Sequence, residues 1–241
     1  MSTDWKEQAT KLVELLVLER KPVAVTFTNE LVDGGGRKAP VCGALKVAAE
    51  KGRRIVIDAQ TRGCPGGLWH CGLTPPPPGQ AQRKLQDFLT NGEKLTHSIV
   101  SFHRMEKLGS PPPNGLSDRL IIEPMETAEM MPDLAVFLCN AEQACRLISL
   151  DTYWDGKPPR VELTGSLCHS AIAYPTVTGN TNATFGDWTA RRVQNYATDV
   201  AFVSIPYERM HNLVAAIPHS SAGIAEVVIP PFFRHEMDES D

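Results

Sequence analysis

Twice along this chain a β-branched strand leads into a cysteine-bearing helix, then a second strand, then a loop carrying another cysteine. That recurrence restricts the fold more than any other feature. In the first half the order is PVAVTFT (22–28), CGALKVAAEKG (42–52), RRIVIDA (53–59) and a loop with Cys64. In the second it is DLAVFLC (133–139), AEQACRLISL (141–150), RVELTG (160–165) and a loop with Cys168. Cys42 and Cys64 stand 22 residues apart (42 to 64), and Cys145 and Cys168 stand 23 apart (145 to 168). Each half closes on a strand, a proline and a helix: RLIIEPMETAEMM against AFVSIPYERMHNLV. Strand and helix runs alternating in this way predict an α/β fold. The expectation is two similar α/β half-domains related by an internal duplication, with mixed sheets and flanking helices. Residues 1–118 hold Cys42 and Cys64, 119–241 hold Cys168, and the pair can equally be counted as one domain. The halves should pack about a pseudo-twofold axis, so that the loops bearing Cys64 and Cys168 face each other.

Outside the repeat, Asp4 and Glu7 form a capping box for a first helix whose apolar face is Trp5, Ala9, Leu12, Val13 and Leu16. TPPPPGQ is a stiff spacer before a helix over 81–92. SLCHSAIAYPTVTGN (166–180) reads as a loop or short helix, and the acidic tail after Pro231 is expected to be mobile.

With 42% hydrophobic residues, 22% charged and a formal net charge of −4, the chain has the composition of an ordinary globular protein. It has no basic stripe to meet a phosphate backbone, so nucleic acid is not an expected partner. No apolar run reaches the roughly 18 residues that span a bilayer, and the N-terminus lacks the basic and small-residue pattern of a signal peptide. A cytoplasmic protein is expected. There thiols stay reduced, and six cysteines point to metal chemistry, redox chemistry or burial before disulfides.

Cys64 leaves a strand on Gly-Cys-Pro-Gly-Gly, whose glycines let backbone N–H groups approach a bound species closely. A thiol fixed there suits metal ligation. Cys71 lies seven residues on, which is not the C-x-x-C spacing of zinc ribbons, and it reads as an apolar filler in LWHCGL. Cys42 opens a helix, where the N-terminus should stabilise a thiolate and lower the thiol pKa. Cys139 and Cys145 read as structural. His70 and His169 each adjoin a candidate cysteine and can ligate or move a proton. GDWTARR places Asp187 ahead of Arg191 and Arg192, either as a clamp for a substrate carboxylate or as a helix cap. Walker A, GxGxxG and GxSxG motifs are absent, which removes support for nucleotide phosphate binding and α/β-hydrolase chemistry.

Taken together, VCGALKVAAEKG, GCPGGLWHCGL, PDLAVFLCNAEQACRL, the Cys168 loop with YPTVTGN, and GDWTARR resemble the prokaryotic family grouped as domain of unknown function number one hundred and sixty-nine, from about Pro22 to Ile217. The resemblance implies that Cys42, Cys64 and Cys168 are its characteristic cysteines, and that Cys71 sits where a large apolar residue is usual.

Three thiols able to converge from two halves suit a [4Fe-4S] cluster held by Cys42, Cys64 and Cys168 with one iron open. The expected function is then iron–sulfur lyase, hydrolase or reductase chemistry on a small-molecule substrate, with His70, His169 and Arg191 as proton donors or substrate clamps. An electron carrier is a possible partner, and a homodimer is the expected assembly. One alternative places zinc on the same cysteines in a hydrolase or lyase. Another is a non-enzymatic small-molecule-binding or regulatory protein.

Overall fold

The computed structural model describes residues 5–33, 39–60, 63–106, 112–159, 161–163 and 165–227, with backbone alone at 105–106. The expected cap at Asp4, the glycine run 34–36 and the acidic tail lie outside those residues. In chain order the elements begin with α1 (Trp5–Leu16), β1 (Val23–Thr28), α2 (Val41–Lys51), β2 (Ile55–Asp58) and α3 (Pro65–His70). Next come α4 (Gly79–Asp87), continued by a π-helical turn Phe88–Gly92, and α5 (Ile99–Glu106). β3 (Arg119–Pro124), β4 (Leu134–Cys139) and α6 (Ala141–Asp151) follow. A π-helical segment His169–Ala173 runs into α7 (Tyr174–Thr178), and the described elements end with β5 (Asn182–Thr184), α8 (Trp188–Val193), β6 (Ala201–Pro206) and α9 (Tyr207–Ala216).

The fold is α/β, but its strands form one six-stranded sheet in the order β2-β3-β1-β4-β6-β5. Every pairing in it is antiparallel rather than mixed. β3, which opens the 119–241 half, lies between β2 and β1 of the first half. Exchanging β1 with β4, β2 with β5 and β3 with β6 maps the strand order onto itself.

Successive side chains of a strand face opposite sides, and the sheet uses both. On one face Val23, Val25, Leu120, Ile122, Leu134, Val136, Leu138 and Phe202 pack under α2, α3, α8 and the π-helical segment at 169–173. On the other face Ala24, Ala135, Phe137, Val203 and Ile205 pack under α1, α6 and α9. The second face is closed by large side chains such as Leu12, Leu147 and Leu213. It is locked by Arg209, whose Nε donates to Asp151 Oδ1 at 2.8 Å and whose second nitrogen reaches Oδ2 at 3.1 Å. The first face carries the cysteines Cys42, Cys71 and Cys168.

Two expected elements do not form. RVELTG is not a strand where it is described: 161–163 is irregular, and Val161 and Leu163 are exposed. METAEMM forms turns rather than a helix, because Met125 and Ala128 drop into the core. Conversely, PGGLWH is the helix α3, with Pro65 in its first turn where a missing N–H costs nothing.

α1 ends in a Schellman motif: Leu18 N donates to Val13 O at 3.1 Å and Val17 N to Glu14 O at 3.4 Å. The residue in the left-handed position is Val17, with φ 50° and a solvent-exposed side chain. A β-branched residue is strained there and has little packing to lose. Val17→Gly should raise stability to urea by about 1 kcal/mol, read from the unfolding midpoint at unchanged slope. A lower midpoint would refute this account of the turn.

Candidate functional site

A cavity of about 570 Å³ opens on the first face of the sheet, and Cys42, Cys64, Cys168, His70 and His169 all line it. Three chain segments bring the thiols there. Cys42 lies in the first turn of α2, after Pro40. Cys64 is extended (φ −62°, ψ 122°) and precedes Pro65 of α3, while its carbonyl accepts from Leu68 N at 3.1 Å. Cys168 leads into the π-helical segment, an irregularity that recurs at functional sites.

Absent side chains make this convergence possible. A Cβ on Gly67 would stand 3.1 Å from Val41 Cγ2 and 3.4 Å from Cys168 Sγ, so α3 passes close over the Cys168 sulfur, and a side chain at 67 would press on Val41. A Cβ on Gly63 would meet the Ala39 carbonyl oxygen at 2.9 Å, which draws the approaches to α2 and α3 together. A Cβ on Gly43 would meet Gln194 Oε1 at 2.8 Å, so α2 seats against the end of α8. Tyr196 donates its hydroxyl to the Cys42 carbonyl.

Asp187 couples two of these segments. Its Oδ1 accepts from Ala190 N at 2.6 Å and caps α8, while Oδ2 accepts from Leu167 N at 2.9 Å, one residue before Cys168. Of the two roles expected for Asp187, the cap is the one its hydrogen bonds make. Its charge also reaches the thiols. Burial, Asp187 and Cys64 together push the Cys42 thiol up to about 12, so a lowered pKa from the α2 N-terminus is not what this site produces. Burial raises Cys168 well above the ordinary thiol range, and Cys42, Cys71, Cys64 and Asp187 push in the same direction. Without a cation these thiols hold their protons at neutral pH.

Beside them lies an imidazole pair. His70 stacks on Trp69 with centroids 4.8 Å apart, and its ring meets that of His169 edge-on at 5.7 Å. His70 Nδ1 is buried with no hydrogen-bond partner. Burial, then the neighbouring His169, lower the His70 pKa to about 4, so His70 is neutral at pH 7. His169 Nδ1 stands 3.4 Å from Glu162 Oε2. The backbone around this pair is fixed from β5: Asn182 accepts from Glu162 N at 2.7 Å and donates to Ser170 O at 2.7 Å. Thr184 adds a bond to the Ser170 hydroxyl at 3.1 Å.

Arg191, expected as a proton donor or substrate clamp, does not line the cavity. Its guanidinium donates to the carbonyls of Phe185 at 3.1 Å, Val200 at 2.8 Å and Ala197 at 2.7 Å, and so braces the loop around α8. Cys71 is fully buried in the core beneath the sheet face, as a filler would be, and Cys139 is buried at the end of β4. Cys145 is exposed on α6. Among the described residues no group of three or more His, Cys, Asp or Glu side chains is arranged to hold a metal ion.

The opposite wall is apolar and comes from α4, the π-helical turn, the connection after it and α5, through Leu85, Phe88, Leu89, Leu95 and Phe102. Glu93, Glu162 and Trp69 also line the cavity, and sequence reading passed over all three as site residues. Glu93 followed a helix-ending glycine, and Glu162 lay inside a segment read as a strand. Only the Trp-His pair beside Cys71 offered a signal.

The chain matches the DUF169 family, described as uncharacterised ArCR, over residues 11–216. It is 24% identical over 227 residues to the uncharacterized protein MJ0308 of Methanocaldococcus jannaschii, an alignment covering 89% of this chain and 94% of that protein. No solved structure matches. The match takes in every element from α2 to α9 and each residue of the cavity, and the chain belongs to the DUF169 family.

Proposed function

We propose that Cys42, Cys64 and Cys168 bind a [4Fe-4S] cluster and that the protein is an enzyme acting on a small molecule held in the same cavity. The observation that carries this reading is that three thiols, from segments far apart in the sequence, line one cavity whose other wall is apolar. The donor set fits the chemistry. Soft thiolates favour iron–sulfur clusters. Burial holds the Cys42 and Cys168 thiols above the ordinary range, so they ionise readily only against a cation and loading releases protons. Among the described residues no three His, Cys, Asp or Glu side chains already stand as a metal site, so either zinc or a cluster would have to draw the thiols together on loading. In a cubane each thiolate takes its own iron, which tolerates wider spacing.

When bound, a cluster with three protein ligands supplies one iron with an open position, able to act as a Lewis acid or to pass single electrons. The chain's own groups do the rest. Phe88, Leu89 and Phe102 exclude water from the apolar side. Neutral His70, stacked on Trp69, can accept or donate one proton, and His169 is oriented by Glu162. Lyase, hydrolase and reductase chemistry are all open to this set. The reading implies a cytoplasmic setting that keeps thiols reduced, and an electron carrier where the chemistry is redox. A homodimer belongs to the same proposal.

A second reading, a small-molecule-binding protein without metal, is favoured by the raised thiol pKa values, since protonated thiols are compatible with an apolar wall. Metal analysis separates the readings. Protein purified without oxygen should be brown and carry about four irons and four acid-labile sulfides per chain. Cys64→Ser and Cys168→Ser should each lose most of both, whereas Cys145→Ser should keep them. Colourless protein with one zinc would favour the zinc enzyme, and folded protein free of metal would sink both metal readings.

His70 gives an independent check on metal-free protein. Its folded pKa of about 4 lies below the ordinary 6.5, so the unfolded chain takes up the proton first as pH falls. Stability should therefore drop between pH 6.5 and about 4, by up to about 3 kcal/mol. His70→Gln should flatten that part of the urea-stability profile. An unchanged slope in the variant would mean His70 is not held neutral.

A further inference from the structure

We propose that the ligand of this cavity is a hydrophobic amine, its ammonium group facing Glu93 and Glu162 and its apolar body lying against the helices that close the other wall. The inference rests on the reading that the cavity binds a small molecule, and not on the cluster.

Charge carries it. Glu93, Glu162 and Asp187 line the cavity, and among the described residues no lysine or arginine does. Arg191, the nearest candidate in sequence to Asp187, is committed to backbone carbonyls. Asp187 has both oxygens occupied by the N–H groups of Ala190 and Leu167. Glu93 accepts from the Thr189 side chain and Glu162 Oε2 faces His169 Nδ1 at 3.4 Å, and each carboxylate, with two oxygens, keeps capacity for a further donor. Both are raised above the ordinary carboxylate range, Glu162 by burial and Glu93 by burial and then Asp187, which means that their desolvation is not offset by a protein cation. Both are partly buried, and a carboxylate partly withdrawn from water with no lysine or arginine beside it bears a cost that a ligand ammonium offsets. His70 Nδ1 adds a buried atom without a partner, and in the tautomer protonated at Nε2 it is an acceptor. The remaining acceptor capacity of the cavity therefore calls for N–H donors, and an ammonium has three.

Shape supplies the other half. Leu85, Phe88, Leu89 and Phe102 project from α4, the following π-helical turn and α5, elements that pack chiefly on one another. They form an apolar wall facing the carboxylates and thiols. At about 570 Å³ the space suits a ring-bearing molecule of moderate size. A carboxylate or phosphate ligand would meet three acids, and thiolates on a cluster would add to the repulsion.

The test is calorimetric titration of the full chain at pH 7 with three probes of similar apolar body: 2-phenylethylamine, 2-phenylethanol and phenylacetate. The amine should bind at least tenfold more tightly than the acid, with the alcohol between them. In the Glu93→Gln, Glu162→Gln double variant that preference should fall to within twofold. Phe88→Ala should weaken amine and alcohol alike. Folding is checked by circular dichroism, and the single glutamine variants give the same reading if the double variant does not fold. Binding of phenylacetate as tight as the amine, a preference that survives the double variant, or no binding by any probe overturns the proposal. Iron and sulfide are counted in the same samples. Amine preference in iron-free protein leaves the ligand class standing and sinks the cluster, while iron and sulfide without amine preference does the reverse.

Discussion

The pairing of β1 with β4 holds this molecule together. It is short, with Val23 opposite Val136, Ala24 opposite Ala135 and Val25 opposite Leu134, yet it is where three strands on one side of the sheet join three on the other. Because the join is antiparallel and central, each outer set runs away from it in matching order, and the segments bearing Cys42 and Cys168 fall on one face. α2 packs over β1 and β3, and the segment that begins at Cys168 packs over β5 and β6. Were the register shifted by one residue, every side chain of the shifted strands would change faces. The thiols would lose the apolar floor of Val25, Leu134 and Val136 on which their helices rest.

The two faces of the sheet illustrate opposite uses of burial. Under α1, α6 and α9 the space is filled by leucines, Phe137 and Met210, and the buried Asp151 is satisfied by the fork of Arg209. Across the sheet, glycines at 43, 63 and 67 stand at points of close contact, with Gln194, the Ala39 carbonyl and Val41 respectively, and Gly67 also borders the Cys168 sulfur. Burial drives the thiols and His70 toward their neutral forms, and the carboxylates bear a desolvation cost. Local irregularity follows the same boundary: the π-helical segments at 88–92 and 169–173 both border the cavity. Energy that tighter packing would have gained is given up here for exposed, poised groups.

How far the sequence announces this depends on which force decides each element. Strands buried on both faces are legible, and RLIIEP and AFVSIP form as their apolar runs predict. Segments whose pattern is overruled by tertiary context are not. Val161 and Leu163 alternate with Glu162 as a strand would, but they stand exposed at the cavity, joined to β5 by Phe185 N donating to Leu163 O at 2.7 Å. β5 itself has three residues, too few for any period to show. The recurrence paired Cys64 with Cys168, and both line the cavity, but it paired Cys42 with Cys145, which is exposed on α6. The carboxylates were not legible, since a lone glutamate in sequence carries no sign of what it faces. The pKa of Cys42 was misread for a related reason: a helix N-terminus offers a fraction of a charge, and burial beside Asp187 outweighs it.

Cys64 and Cys71 show why proximity in sequence misleads about metal sites. Seven residues of helix carry a side chain through nearly two full turns, which returns it to a similar azimuth but about 10 Å further along the axis. One thiol can therefore open onto the cavity at the start of α3 while the other closes off the core at its end, and their burial divides in that way: Cys64 is exposed and Cys71 is fully buried. Cys168, more than a hundred residues distant, can approach Cys64 because both border the same bare turn at Gly66 and Gly67, where a Cβ would stand 3.8 Å from Cys64 Sγ and 3.4 Å from Cys168 Sγ respectively. Spacing along a helix sets where its own thiols cannot meet, and the glycines decide which distant thiol takes the place.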